Sequence, residues 1–184
     1  MACEIVDLTG NSITGCDTTG GLLASYVCEL ADITAITVTA DVITGFTMAA
    51  TGKWKRWDYD GDNTARYDQT TNRAGKKRTY AQAFFGKFGG FDAARILAFQ
   101  NATCTCDLVA VHILNNGVRL VQGIEVSASA TGGFTRSSIL QTLLQADVLS
   151  DTSQNESRVE SQLVGEANKL SHTTDLDDAE LEAL

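Results

Sequence analysis

The sequence contains no proline in 184 residues, where a chain of this length ordinarily carries roughly nine. Collagen-like and polyproline architectures are thereby excluded, as are proline-stiffened linkers. Histidine is nearly absent too, with only His112 and His172. No phosphate-binding glycine loop, no G-x-S-x-G and no H-E-x-x-H pattern occurs, so the short signatures of phosphoryl transfer, serine hydrolysis and zinc proteolysis are missing. The longest apolar runs, such as Leu108 to Leu114, fall far short of the ~20 residues that span a bilayer. Glu4 and Asp7 stand where a secretory leader would carry bases. The five cysteines (3, 16, 28, 104 and 106) are an odd number. Together these set the expectation of a protein that is not exported, with its thiols reduced.

Charge of one sign is missing from whole segments. Residues 1–52 hold six acids and neither lysine nor arginine, whereas residues 53–100 hold ten bases against five acids. Residues 150–184 return to nine acids and two bases, within a net charge of −9. Segregation of this kind can simply keep a monomer soluble. It also suits self-assembly, in which the basic segment of one copy meets an acidic segment of the next.

What is present in the first 150 positions is mostly period-2 alternation with β-branched residues. Strands are expected over Leu22 to Leu30, Ile33 to Thr39, Val42 to Met48 around an Ala40-Asp41 turn, and Lys53 to Asp60. In the last of these, Trp54, Arg56 and Asp58 share one face, and Trp57 and Tyr59 the other. A polar stretch from Asp60 to Lys77 reads as a loop, with turn signals at Asp60 to Asn63 and Arg73 to Gly75. Arg78 to Phe88 resumes as a strand with Tyr80, Gln82, Phe84 and Phe88 on one face. Phe91 to Asn101 is apolar almost all round and predicts a short buried helix, with Asp92 as N-cap. Cys106 to Leu114 and Val118 to Glu125 flank Asn115-Asn116-Gly117, a hairpin signal. Arg136 to Val148 predicts a last long strand after a loop at Ser127 to Phe134.

The final 35 residues change period. Ser153 to Glu156 fits a capping box, and Val159, Leu163, Ala167 and Leu170 fall at helical spacing. A second helix is expected within Thr174 to Leu184, with Asp175, Asp177 and Asp178 in its first turn. Neither segment has the apolar surface for a core of its own, so each needs a neighbour from this chain or another copy. The expected fold is thus mainly β: a sandwich or barrel of about seven strands over residues 20–149, with one packed helix. An N-terminal arm (1–19) precedes it, and an acidic, partly helical extension (150–184) follows.

The residues that could carry chemistry form no constellation. His112 sits in an apolar strand, where a satisfied core imidazole is the plain reading, and His172 lies in a polar linker. Cys104 and Cys106 have the wrong spacing for a zinc knuckle. Asp58, Asp60 and Asp62 alternate as the first ligands of a Ca²⁺ loop do, but the sixth position is Asn63 and the twelfth Gln69. A solvated acidic turn accounts for them better. Neither a catalytic residue, a metal nor a cofactor is expected. Lys76, Lys77 and Arg78, with Arg73 before them, could meet nucleic-acid phosphate or an acidic protein surface; a chain of pI about 4.6 is not expected to bind DNA strongly.

The order of elements resembles the tail tube (major tail) proteins of tailed bacteriophages across residues 20–149. The residues that carry the likeness are the Thr/Ile/Val-rich hairpin from Ile33 to Thr47 and the aromatic strand from Lys53 to Tyr59. They continue with the polar excursion ending in Tyr80 to Phe84, an alanine-rich helix, the hairpin through Asn115 to Gly117 and the glycine-rich loop Thr131 to Phe134. The resemblance implies a non-enzymatic virion protein, a β-sandwich protomer that joins others into stacked, usually six-fold rings around a DNA passage. It would be assembled in the host cytoplasm, contact terminator, baseplate or sheath proteins, and make no membrane contact. It further implies an inter-subunit loop bearing Asp60, Asp62, Arg66, Arg73, Lys76, Lys77 and Arg78, and acids facing the lumen, for which Asp32 and Asp41 are the candidates. Alternatives are another virion component (a head–tail joining, terminator or capsid-decoration protein) and a Ca²⁺-dependent carbohydrate-binding module. The last would use Asp58, Asp60 and Asp62, with Trp54 and Trp57 as a sugar platform, unless those tryptophans are core anchors.

Overall fold

The computed structural model of the chain describes residues 21–59, 65–74, 77–89, 97, 108–115, 117–126, 134–136, 147–151, 156–167 and 172–184. The fold is mainly β. Thirteen strands are described: β1 (Leu22–Glu29), β2 (Ile33–Thr39), β3 (Val42–Met48), β4 (Lys55–Asp58), β5 (Arg66–Ala74), β6 (Lys77–Gly89) and β7 (Leu108–Leu114). They continue with β8 (Arg119–Gln122), β9 (Ile124–Val126), β10 (Phe134–Arg136), β11 (Asp147–Asp151), β12 (Glu156–Ala167) and β13 (His172–Thr174), before a terminal helix α1 (Asp178–Ala183). They form a seven-stranded sheet in the order β2-β3-β13-β8-β7-β1-β4, a four-stranded sheet β11-β12-β6-β5 and a β10-β9 pair.

Short connections force the large sheet to curl. β1 is sixth in the order and β2 first, so a flat sheet would put them ~24 Å apart at ~4.8 Å per strand. Only the 3₁₀ turn Leu30–Asp32 joins them, and four Cα steps reach at most ~15 Å. The two margins must therefore approach each other at this end. A second return crosses beside the first: Ala49 N–H donates to the Asp32 carbonyl at 2.7 Å. A Cβ on Gly52 would lie 2.6 Å from that of Asp32, so the close passage requires glycine there. The margins β2 and β4 do not pair with each other, so the roll stays open and is not a closed barrel.

The alternation then assigns two cores. Val109, Val111 and Ile113 of β7 line the inside of the roll with Ala24, Tyr26, Cys28, Ile33, Ile36, Ile43, Phe46, Trp54 and Val121. Leu176 and Leu181, before and within α1, fill the same cluster. The opposite parity of β7 gives Leu108 and Ala110, which pack outside the roll with Leu22, Val27, Trp57, Tyr59 and Phe84. Phe84 belongs to β6, so the second sheet covers this face. Trp54 and Trp57 fall on opposite faces, as their spacing predicts, and both are core anchors.

Four expectations are corrected. The strands outnumber the expected seven. Residues 66–74, read as part of a loop, form β5 and pair along their whole length with β6, from Arg66↔Phe85 to Ala74↔Lys77. The segment 156–167, read as a helix, is strand β12, paired with β6 from Arg158↔Gly89 to Ala167↔Tyr80. Its apolar spacing of four suits both states, because four residues return to the same helix face and also to the same strand face. Val159 and Leu163 come opposite Phe88 and Phe84, and that pairing decides the matter. Finally, the ends of the expected long strand from 136 to 148 belong to different ladders, β10 with β9 and β11 with β12. Of the expected buried helix 91–101 only Leu97 is described; it is helical but 54% exposed. The N-terminal arm lies outside the described residues.

The terminal helix forms where expected. Asp177 is its N-cap, accepting from Glu180 N–H at 2.8 Å while the Glu180 carboxylate accepts from Asp177 N–H at 2.8 Å. The neighbour it needed is this chain's own roll.

Candidate functional site

The features that could act on a partner lie at sheet margins, at a hairpin end and at the helix that fills the roll. β2 is one margin of the seven-stranded sheet; its seven positions are rich in isoleucine and threonine and carry no charge. Thr34, Ala35, Thr37 and Thr39 are exposed. Its partner β3 is uncharged as well, and the two are joined by Ala40 and Asp41 at φ 50° and 66°, the left-handed pair that a tight hairpin needs. The only irregularities are register shifts at Ile33/Ala35 and Thr37/Val38, the first accompanied by a bond from Thr34 Oγ1 to the Thr47 carbonyl at 2.9 Å. The opposite margin, β4, is four residues long and carries Lys55, Arg56 and Asp58. Margin β5 carries Arg66, Asp68 and Arg73. Charge and brevity protect a strand edge from unwanted pairing, so among these three margins only β2 lacks those guards.

The residues of the expected inter-subunit loop are dispersed. Arg66 pairs with Asp68 at 3.0 Å and lies 4.4 Å over the Phe85 ring. Arg73 and Arg78 stand directly opposite each other across β5 and β6, both exposed. Like charges in that position repel, and among the described residues neither has an ion-pair partner. Lys77 is on the same ladder opposite Ala74; Asp60, Asp62 and Lys76 lie outside the described residues. Asp32 and Asp41 sit at opposite ends of the β2–β3 hairpin, Asp32 half-buried and Asp41 exposed. Asp58 is committed to Arg56 at 2.8 Å. Among the described residues no three His, Cys, Asp or Glu side chains gather at one point. Trp54 and Trp57 are 6% and 1% exposed and present no platform to a sugar.

A polar cluster that sequence reasoning missed ties the two sheets. Ser25, His112 and Gln122, from β1, β7 and β8, each have 0% exposure. His112 Nδ1 is 2.6 Å from Ser25 Oγ, and its Nε2 is 2.8 Å from Gln122 Oε1. Gln122 Nε2 donates to the Gln82 carbonyl on β6 at 3.2 Å. The polarity of that chain assigns the proton: Gln122 accepts from His112 Nε2–H, and Nδ1 accepts from the serine hydroxyl. Phe84 stacks on the imidazole at 4.8 Å, and Tyr67 packs beside it at 5.2 Å. Burial holds the His112 pKa down to about 4, the bond to Gln122 opposing it. The linkage differs from a Ser-His-acid relay, since the serine meets Nδ1 and an amide takes the place of the carboxylate on Nε2, and Ser25 has no exposed surface. Its chemistry is that of a directional tie between sheets. Only the apolar context of His112 signalled this in the sequence; its partners lie 87 residues before and 10 after it.

The helix that fills the roll is anchored by charge as well as by Leu176 and Leu181. Arg56 Nη1 contacts Glu182 at 3.1 Å and Asp178 at 3.7 Å, and Arg119 Nη2 reaches Asp178 at 3.0 Å. The Tyr26 hydroxyl donates to Glu182 at 2.9 Å. Burial, and then the bond to Glu182, raise the Tyr26 pKa, whereas the bonds from Tyr26 and Arg56 lower that of Glu182. The Cys28 thiol beneath is pushed up by burial. No described helix is long and apolar enough to cross a membrane. Comparison with protein-family models, curated proteins and solved structures finds no match for the chain.

Proposed function

We propose that the chain is a structural subunit that assembles with copies of itself. On the resemblance of its element order, we take the assembly to be a phage tail tube of stacked, six-membered rings. In this reading the roll and the four-stranded sheet are the two layers of a β-sandwich protomer. Terminator, baseplate or sheath proteins are the other partners, and genomic DNA passes without specific binding. The observation that carries self-assembly is β2: an uncharged, proline-free, threonine-rich margin on a chain of net charge −9. Among the described residues no strand pairs with the outer side of β2, and an edge left open in this way is satisfied by another strand. The opposed Arg73 and Arg78 support the reading, since an acidic neighbouring surface would relieve their repulsion. Asp32 and Asp41, at the ends of the β2–β3 hairpin, are the proposed lumen residues, where carboxylates repel DNA phosphate.

Negative-stain microscopy with analytical ultracentrifugation tests this. The purified chain is expected to form rings or tubes at high concentration. Thr37→Lys, which places one charge on the open margin, is expected to abolish them. Its melting temperature should stay within about 2 °C of the parent, because an exposed substitution costs little in the subunit itself. A parent chain that remains monomeric at high concentration overturns the reading.

A further inference from the structure

The hairpin β2–β3 reaches the rest of the seven-stranded ladder through three residues. β13 (His172–Thr174) pairs in parallel with β3, Thr173↔Val42 and Thr174↔Ile43, and antiparallel with β8, His172↔Val121 to Thr174↔Arg119. Thr174 Oγ1 adds a bond to the Ile43 carbonyl at 2.8 Å, and Asp175 N–H donates to the same carbonyl at 3.4 Å. Beyond it, α1 has only six residues, too few for stable helix on its own. It is held by what it docks on: the roll interior receives Leu176 and Leu181, and Arg56, Arg119 and Tyr26 receive Asp178 and Glu182. Residues 172–184 carry five acids and neither lysine nor arginine. In physical terms this segment is an acidic strand–helix ligand in a slot with two arginines at its rim and an apolar floor.

We infer that the slot between β3 and β8 is an inter-subunit site whose occupant is the 172–184 segment of a second copy, exchanged for the chain's own on assembly. The inference rests on the self-assembly reading above. An empty slot would leave β3 and β8 unpaired, expose Ile43 and Val121, both fully buried, and strip Arg119 of its carboxylate. It must therefore stay filled, and the sequence that satisfies its threonine, leucine and carboxylate contacts is this segment. A second copy supplies the same contacts, so exchange changes little but entropy and joins two bodies. Because the segment secures the hairpin that bears β2, exchange would also couple slot and margin in one interface.

The test uses full-length chains carrying Val42→Cys or Thr173→Cys, half-buried positions in register across β3 and β13. The two are mixed at assembling concentration, oxidised and mapped by peptide mass analysis. A disulfide between residues 42 and 173 of different chains is expected. Its absence, when a chain with both substitutions closes the link internally, overturns the exchange. An independent arm uses charge: Arg56→Glu and Glu182→Arg chains should each lose self-association, and mixing them should restore it, since only traded segments match every charge. Two chains that stay impaired together overturn the inference as well. Rings without an interchain link defeat the exchange alone; an interchain link without rings defeats the tube reading alone.

Discussion

Val111 and His112 are neighbours on β7, both with no exposed surface, yet the two faces they serve are held by different forces. On the Val111 side the roll interior is almost wholly apolar and is filled by a helix anchored at its rim. On the His112 side, hydrogen bonds link Ser25, His112, Gln122 and the Gln82 carbonyl from one sheet to the other. Apolar packing is non-directional and tolerates small shifts. A buried polar chain is satisfied in one arrangement and costly in others. The difference teaches that the outer face specifies how the sheets dock, whereas the inner face supplies burial and is filled by the terminal helix.

The largest effect expected is on the polar face. His112→Ala removes the stacked ring and the two bonds that the imidazole makes, to the Ser25 hydroxyl and to Gln122 Oε1, so chemical denaturation should show a loss of about 3–5 kcal/mol. A loss no greater than that of Val111→Ala would erase the contrast between the faces.

The same imidazole gives a pH signature. Its folded pKa, about 4, lies below the ordinary 6.5, so the unfolded chain binds the proton more readily. The stability it contributes is fully present above pH 6.5 and is lost as pH falls through 4, by about 3 kcal/mol in all. His112→Gln should flatten that window in a pH series of melts. Glu182, whose folded pKa is lowered from 4.5, adds its own loss only below that value.

On the inner face, Leu181→Ala should cost about 2 kcal/mol, near the low end for a buried leucine because a six-residue helix can settle into the gap. Amide exchange should quicken in 172–184 and leave β7 protected. The smallest effect is at the rim. Arg119→Met should fall within about 1 kcal/mol of the parent, since its carboxylate partner is partly solvated and its own Nε has no partner among the described residues. Roughly 1 M salt should weaken the anchoring of α1 and spare the His112 side; equal salt sensitivity of both would contradict the comparison.

Local patterns were legible where one period alone fitted. Alternation identified β1 to β4, β7 and β8, and it split Trp54 from Trp57. The acids Asp175, Asp177 and Asp178 announced the terminal helix, and the structure makes Asp177 its N-cap. The ambiguous stretch was 156–167, where spacing of four is shared by helix and strand. The polar segment 66–74 carries few apolar residues to betray a strand, and β6 decided both by offering an edge on each side. The Ser25–His112–Gln122 tie was invisible because ordinary polar residues acquire meaning only when curling brings three strands abreast.

By itself the sequence determined the β character of the chain, the alternation that divides each strand between two cores, the hairpin at 33–48 with its two uncharged strands, and the acidic end. These follow from period, side-chain shape and charge, which act over a few residues. The tertiary structure alone decided that a three-residue turn closes the sheet into an open roll, that β12 is a strand, and that β13 joins the hairpin to the rest. Each is a contact between distant residues, settled by which partner leaves the fewest backbone groups and apolar surfaces unsatisfied.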